Sequence, residues 1–200
     1  FVTADEILRL SWQHIQLTLI CVLIASAIGI PLGIAAHRVN VLRHFVLGFS
    51  SVVQTTPSLA LFGFLIPFIG IGERTALVAL ILYALLPIVR NTFAGLQNVD
   101  PGAVEVATAM GLTPAQTLRL IELPLAAPSI FAGTRIAAVT TVGTATIAAA
   151  IGAGGLGVFI FRGIASVETR LLLAGSVPAA VIALVLDGGL GWIEKRLSRY

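Results

Sequence analysis

The side chains that could do chemistry are few and scattered through an apolar chain. The three histidines are His14, His37 and His44, and the last two flank one short loop. No H-E-x-x-H pattern, paired carboxylates or serine–histidine pair accompanies them, although hydrolytic and metal-dependent catalysis need such groups. The single cysteine, Cys21, lies in an apolar run, which argues against a disulfide or a thiolate site. We therefore expect no catalytic residue, no metal site and no enzyme activity.

Nucleotide-binding patterns are equally weak. Residues 152–157 satisfy G-x-G-x-x-G, but they follow an apolar helical segment instead of a strand, and no acidic residue lies about twenty positions further on. The phosphate-binding pattern G-x-x-x-x-G-K-[ST] does not occur in the sequence. We expect no cofactor on this chain and interpret the glycine run as a turn at a membrane surface.

Composition places the chain among polytopic membrane proteins. Its 200 residues are 58% hydrophobic and only 10% charged, and the mean hydropathy is +1.03. The net charge of +3 does not indicate nucleic acid, because the basic residues are spread around apolar segments. A start at Phe1 instead of methionine is expected of a fragment.

The apolar segments predict one all-α membrane domain over residues 1–200, in contact with a lipid bilayer. Five spans are expected, at about 15–36, 45–69, 75–96, 126–151 and 171–193. Residues 1–13 form an amphipathic segment ahead of the first span.

Polar residues interrupt several spans. Pro57 stands among polar side chains in the second span, which predicts either a packed kink with hydroxyls bonded back to the helix or a broken helix along a solute path. The fourth span is rich in threonine and glycine, which is compatible with close helix packing and with a path-lining role. The candidate path residues are Gln54, Thr55, Thr56, Pro57, Ser58, Asn91, Thr140, Thr141 and Thr144.

Ionisable residues within spans are rare. Asp187 is near the end of the fifth span and is expected to have a structural role there, and Arg90 is expected to extend to the nearby interface. For Arg135 we expect a phosphate or Glu122 as partner.

A polar stretch at residues 98–125 separates the third and fourth spans. Asp100 is a good N-cap and Pro101 suits a first helical position, so a helix over 101–110 is predicted. Gly111 suits the left-handed conformation that ends a helix. The stretch is too short and too polar to cross a bilayer, and we expect it at the membrane surface.

A second short helix follows in the same stretch. Thr113 and Gln116 have the spacing of a capping box. The helix is predicted to run to about Ile121 and to be stopped by Pro124.

The stretch also resembles a family motif. Glu105-Val106-Ala107-x-x-x-Gly111, then nine residues and Ile121-x-Leu123-Pro124, resembles the EAA loop of permease subunits in bacterial ABC importers, with valine at one usual alanine position. The resemblance implies a type I importer permease (MetI-like) fold whose coupling helices dock on a cytoplasmic ATP-binding subunit. The coupling residues it implies are Glu105, Ala107, Gly111, Ile121, Leu123 and Pro124.

Further expectations follow from the same resemblance. ATP and Mg would be bound by the partner ATPase subunits. A second permease copy, identical or a paralogue, and an extracytoplasmic substrate-binding protein would complete the importer in the bacterial inner membrane. Glu105 would make polar contacts to the ATPase, and Gly111 would set the angle between the two helices.

Charge predicts the orientation. With the coupling loop inside, eight basic residues lie on inner segments and four on outer ones, in agreement with the positive-inside rule. Five spans then place the N-terminus outside and the C-terminus in the cytoplasm.

Residues 54–72, 84–92 and 141–157 are similar to osmoprotectant permeases for glycine betaine, carnitine or choline. A permease for methionine or another amino acid is the alternative, and an ion-coupled transporter or channel is the second. Aromatic faces bind quaternary ammonium groups, and the spans offer Phe62, Phe64, Phe68, Tyr83 and Phe93.

Overall fold

A computed structural model describes residues 3–197, and this part of the chain is helical without strands. The helices in chain order are α1 (Ala4–Arg38), α2 (Asn40–Thr55), α3 (Ser58–Ile69), α4 (Glu73–Gln97), α5 (Pro101–Ala109), α6 (Pro114–Thr117), α7 (Leu123–Ile147), α8 (Gly157–Ser166) and α9 (Thr169–Leu197). A π-helical turn, Leu118–Glu122, joins α6 to α7, and a 3₁₀ turn, Ala148–Ile151, follows α7.

Helices long and apolar enough to cross a membrane confirm the expected polytopic all-α class, with four to five candidate spans. Four of them lie in the described chain, at Ala4–Arg38, Glu73–Gln97, Pro114–Ile151 and Thr169–Arg196. The helices α2 and α3, bent by 105° at the break, give a fifth span when the pair is counted as one.

The first span begins earlier than expected. No glycine or proline interrupts residues 4–28, so the predicted lead-in and the span form one helix of 35 residues. Its start is capped by the Thr3 side chain, which accepts from the Glu6 N–H at 3.3 Å.

The break between α2 and α3 falls at Thr56 and Pro57, as the sequence predicts. The Thr56 side chain donates back to the Val52 carbonyl at 3.0 Å. The Tyr83 hydroxyl of α4 donates to the Thr56 carbonyl. Backbone groups freed at a break inside a membrane need partners, and α4 supplies one to the Thr56 carbonyl.

Helix α4 lies at the centre of the bundle, between α1 and α7. A methyl group placed on Gly33 of α1 would lie 2.6 Å from the Thr92 Cβ of α4. One placed on Gly133 of α7 would lie 2.6 Å from the Asn91 Cβ. Small residues let membrane helices approach this closely, so the glycines of these spans serve helix packing.

The prediction that Pro124 stops the second short helix is wrong. The helical segment continues from Pro114 to Ile151, so the fourth span has no break at Pro124. Pro124 lies in the first turn of α7, where a missing N–H is tolerated. The preceding π turn lets the Leu123 N–H bond to the Leu118 carbonyl.

Candidate functional site

The first half of the polar stretch forms the predicted helix and turn. The Asp100 Oδ1 accepts from the Gly102 N–H at 3.0 Å, and Pro101 begins α5. Gly111 has φ +85°, in the left-handed region. The Leu112 N–H bonds to the Ala107 carbonyl at 3.1 Å, which closes the turn. These local predictions are confirmed.

The second half is only partly as predicted. The capping box is confirmed, because the Thr113 N–H donates to the Gln116 Oε1 at 2.8 Å and the Thr113 Oγ1 accepts from the Gln116 N–H at 3.4 Å. However, the α-helical part ends at Thr117, before the predicted Ile121, because the continuous helical segment becomes π-helical at Leu118.

The coupling loop, residues 98–125, presents a mixed surface. Glu105 is exposed, and the apolar side chains of Val106 and Met110, one turn apart, are 60% and 74% exposed. Ala107, the next residue after Val106, is buried. Val106 and Met110 therefore form an exposed apolar patch beside a carboxylate.

The remaining motif residues lie where the loop meets the bundle. Ile121 and Leu123 are half-buried, and Pro124 is exposed. Leu123 packs on a buried cluster of Leu96, Val99 and Ala126. The loop is thus fixed to the ends of α4 and α7.

The loop and the turn at residues 70–72 lie at opposite ends of α4. This helix has 25 residues, which corresponds to about 37 Å. The loop therefore projects from the end of the bundle opposite to Glu73, as the charge distribution predicts.

Sequence reasoning missed an ion pair between α1 and the loop. The Arg38 Nη2 donates to the Glu122 Oε2, and the Glu122 side chain is only 6% exposed. The two residues are 84 positions apart, and no sequence signal joins them.

The expected partner of Arg135 was wrong. Its Nε and Nη2 donate to the two Asp187 carboxylate oxygens at 2.8 and 3.0 Å, and its Nη1 donates to the Glu194 Oε2 at 2.9 Å. Asp187 therefore ties α9 to α7, which is compatible with the structural role expected for it. A cavity of about 330 Å³ adjoins the three charged groups and reaches Thr140.

The candidate path residues of the broken span lie at the bend. Gln54, Thr55 and Pro57 are exposed, whereas Thr56 and Ser58 are half-buried. Thr56 also borders an apolar cavity of about 520 Å³ that Phe49 and Phe64 help to line.

The candidate path residues of α7 do not share one face. Thr140 is exposed, Thr144 is half-buried and Thr141 is buried in the bundle. The Thr140 and Thr144 hydroxyls donate to carbonyls of their own helix, at 2.8 and 3.0 Å. Thr140 and Thr144 can therefore face a path in this conformation, and Thr141 faces other helices.

Two polar residues of α4 contact neighbouring helices. Asn91 donates to the Pro87 carbonyl at 2.8 Å and packs on Gly133 of α7. Arg90 is exposed and donates to the Ser51 Oγ of α2 at 2.9 Å.

Four of the aromatic residues considered for a quaternary ammonium group lie in different surroundings. Phe62 is fully buried in the core, and the Arg43 guanidinium lies over the Phe93 ring at 4.8 Å. Phe64 and Phe68 contact each other on α3, with ring centroids 5.4 Å apart. No three His, Cys, Asp or Glu side chains among residues 3–197 are grouped so that they could hold a metal ion.

Residues 12–199 match the family described as "Binding-protein-dependent transport system inner membrane component". The chain is 44% identical over 188 residues to the carnitine transport permease protein OpuCB of Listeria monocytogenes, covering 94% of this chain and 86% of that protein. It is 41% identical over 193 residues to the glycine betaine/carnitine/choline transport system permease protein OpuCD of Bacillus subtilis (strain 168), covering 96% and 84%.

A solved structure has the same fold. A chain of the MetNI methionine ABC transporter, in inward-facing crystal forms, superposes with a TM-score of 0.88 at 23% identity, over 98% of this chain and 99% of that chain. This likeness confirms the expected MetI-like helical fold.

Proposed function

Because the chain belongs to the family of binding-protein-dependent transport system inner membrane components, we propose that it forms the membrane path of an ATP-driven importer for an osmoprotectant quaternary ammonium compound. Glycine betaine, carnitine and choline are the solutes named for its relatives. The permease subunit itself catalyses no reaction, and ATP and Mg bind to a separate ATPase subunit.

One structural observation supports this function above the others: the coupling loop projects as an ordered helix–turn–helix with an exposed face. Val106 and Met110 offer an apolar contact, and Glu105 offers a carboxylate beside it. Apolar side chains flanked by charge are typical of protein interfaces. We propose that this face docks on the ATPase and that Gly111 sets the angle between α5 and α6.

The rest of the importer follows from the same proposal. Two copies, or this chain and a paralogue, enclose a path between them, with Thr140 and the bend at residues 54–58 facing it. A binding protein delivers solute at the end of the bundle where Glu73 lies. The N-terminus lies on that outer side and the C-terminus in the cytoplasm.

Reconstitution tests the function. The chain is co-purified with candidate ATPases and binding proteins and placed in liposomes, and labelled glycine betaine, carnitine, choline and methionine are compared. We expect accumulation of a quaternary ammonium solute that requires ATP, with solute-stimulated ATP hydrolysis. Preferred accumulation of methionine would contradict the solute class. Uptake that needs no ATP and stops when the proton gradient is removed would contradict the proposed importer function.

A further inference from the structure

The ion pair between Arg38 and Glu122 joins two segments that the backbone does not connect directly. Arg38 is in the last turn of α1, and Glu122 is the last residue of the π turn. The coupling loop is covalently continuous with α4 and α7, whereas α1 reaches it only by side-chain contacts. A carboxylate as buried as Glu122 requires a countercharge, and the Arg38 guanidinium supplies it.

The contact between Arg38 and Glu122 is directional as well as attractive. Ile34 of α1 also packs on the apolar cluster of Leu96, Val99 and Ala126, but apolar contacts are non-directional and allow sliding. A charge-assisted hydrogen bond fixes the relative position of its two groups. A movement of the loop at Glu122 would therefore reach Arg38 at the end of α1.

Helix α1 can transmit such a movement along its length. It is continuous for 35 residues, and Gly29 and Gly33 hold it in close contact with α4. Its outer half is attached to α7, because the fully buried His14 ring bonds through Nε2 to the Val142 carbonyl at 3.0 Å. The distance along the helix from residue 14 to residue 38 is about 36 Å.

Helix α7 makes the second connection between the same two regions. From the π turn at Glu122 it continues as one helical segment past Val142. The extra residue of a π turn rotates the faces on either side of it by about 100° relative to a regular helix. Thus α1 and α7 are joined at an inner point, Arg38–Glu122, and at an outer point, His14–Val142.

We propose that these two contacts make α1 and α7 move as one body with the coupling loop, and that Glu122 is a positioning residue through which ATP-driven loop movement reaches α1. The inference rests on the proposed importer function and assigns a role to Arg38 and to Glu122, a position that the coupling motif leaves unspecified. Without the pair, the loop still docks and ATP is still hydrolysed, but α1 no longer follows each cycle.

The test is the number of solute molecules accumulated per ATP hydrolysed in liposomes that contain the full importer. Glu122→Gln should assemble and hydrolyse ATP while this ratio falls at least about fivefold, the lower end for a lost coupling interaction. The matched control is Arg162→Gln, which removes an Arg–Glu pair at 3.0 Å with Glu6 near the other end of α1. This control should keep the wild-type ratio. An unchanged ratio in Glu122→Gln would overturn the proposal.

A second variant decides the matter if Glu122→Gln fails to assemble. Arg38→Cys and Glu122→Cys are combined with Cys21→Ser, and a short bis-thiol crosslinker is added after reconstitution. We expect a low ratio before crosslinking and recovery of the wild-type ratio afterwards, because one rigid body tolerates a covalent link. Loss of transport on crosslinking, or no difference between the two states, would overturn the proposal. If the wild-type protein itself accumulates no solute, the proposed function fails instead of this inference.

Discussion

Replacing Gly111 with valine tests the geometry of the coupling loop most directly. Gly111 has φ +85°, and nothing lies within 4 Å of the position that a Cβ would occupy. The added Cβ therefore meets no neighbour, and we attribute the cost of the substitution to the backbone. An L-residue in the left-handed region costs about 1–2 kcal/mol, and a β-branched one is at the upper end.

That cost translates into a change of population. At 1.4 kcal/mol per factor of ten, the closed turn between α5 and α6 becomes about 5- to 30-fold less populated relative to open forms. The exposed patch of Val106 and Met110 is then presented at varying angles to α6. We expect Gly111→Val to insert into the membrane normally but to lose most of its ATPase binding and uptake.

A graded series separates backbone strain from volume. Asparagine is larger than alanine but tolerates the left-handed region better, so activity should decrease in the order glycine, asparagine, alanine, valine. Co-purification of the ATPase and labelled uptake are measured for each variant. Gly48→Val is the control, because this helical glycine also has open space around it. Normal uptake in Gly111→Val, or less uptake with asparagine than with valine, would refute the reasoning.

Three further substitutions probe the bundle. Gly33→Leu should lower the midpoint temperature of unfolding in detergent, because the new side chain collides with α4 and such overpacking costs about 1–3 kcal/mol. Tyr83→Phe should lower the same midpoint by less, since the Thr56 carbonyl loses its donor and one such bond in a membrane protein averages about 0.6 kcal/mol. Asp187→Asn should speed hydrogen exchange in the last turns of α9, because Arg135 loses one of its two carboxylate partners.

For each of these three predictions, one result would contradict it. Gly48→Leu meets open space and should leave the midpoint unchanged, so an equal loss in both glycine variants would show that collision with α4 is not the cause. A higher midpoint in Tyr83→Phe would mean that the Thr56 carbonyl finds another donor. Unchanged exchange in Asp187→Asn would mean that packing alone holds α9 on α7.

The sequence predicted the features of the coupling loop that depend on near neighbours. The cap at Asp100, the capping box at Thr113 and the left-handed Gly111 each involve contacts within five residues. Local preference decides such contacts, because the partners are already close in the unfolded chain. The same holds for the break at Pro57, which its polar neighbours mark in the sequence.

The change in backbone hydrogen bonding at residues 118–122 could not be predicted from the sequence. Pro124 normally signals the end of a helix, yet a π turn before it lets the chain continue into α7. No residue type marks a switch from i→i+4 to i→i+5 pairing. As a result, one continuous helical segment connects the coupling loop to the fourth span.

Ion pairs between distant segments could not be predicted from the sequence either. Arg135 and Asp187 are 52 positions apart, and Arg38 and Glu122 are 84 apart. The sequence shows that these charges lie near span ends, but it does not show which helix faces which. A pair between Arg135 and Glu122 would agree with the sequence equally well. The packing of α1 and α9 around the bundle excludes that pair.

The positions of four aromatic residues bear on how a quaternary ammonium group could be bound. Aromatic faces must lie within about 6 Å of a quaternary ammonium to bind it. Phe62 is buried in the core and the Phe93 ring is covered by Arg43, so these two are not available to a solute in this conformation. Phe64 and Phe68 are exposed together on α3, but two rings on one helix do not surround a cation. These four rings therefore do not surround one common position in this conformation.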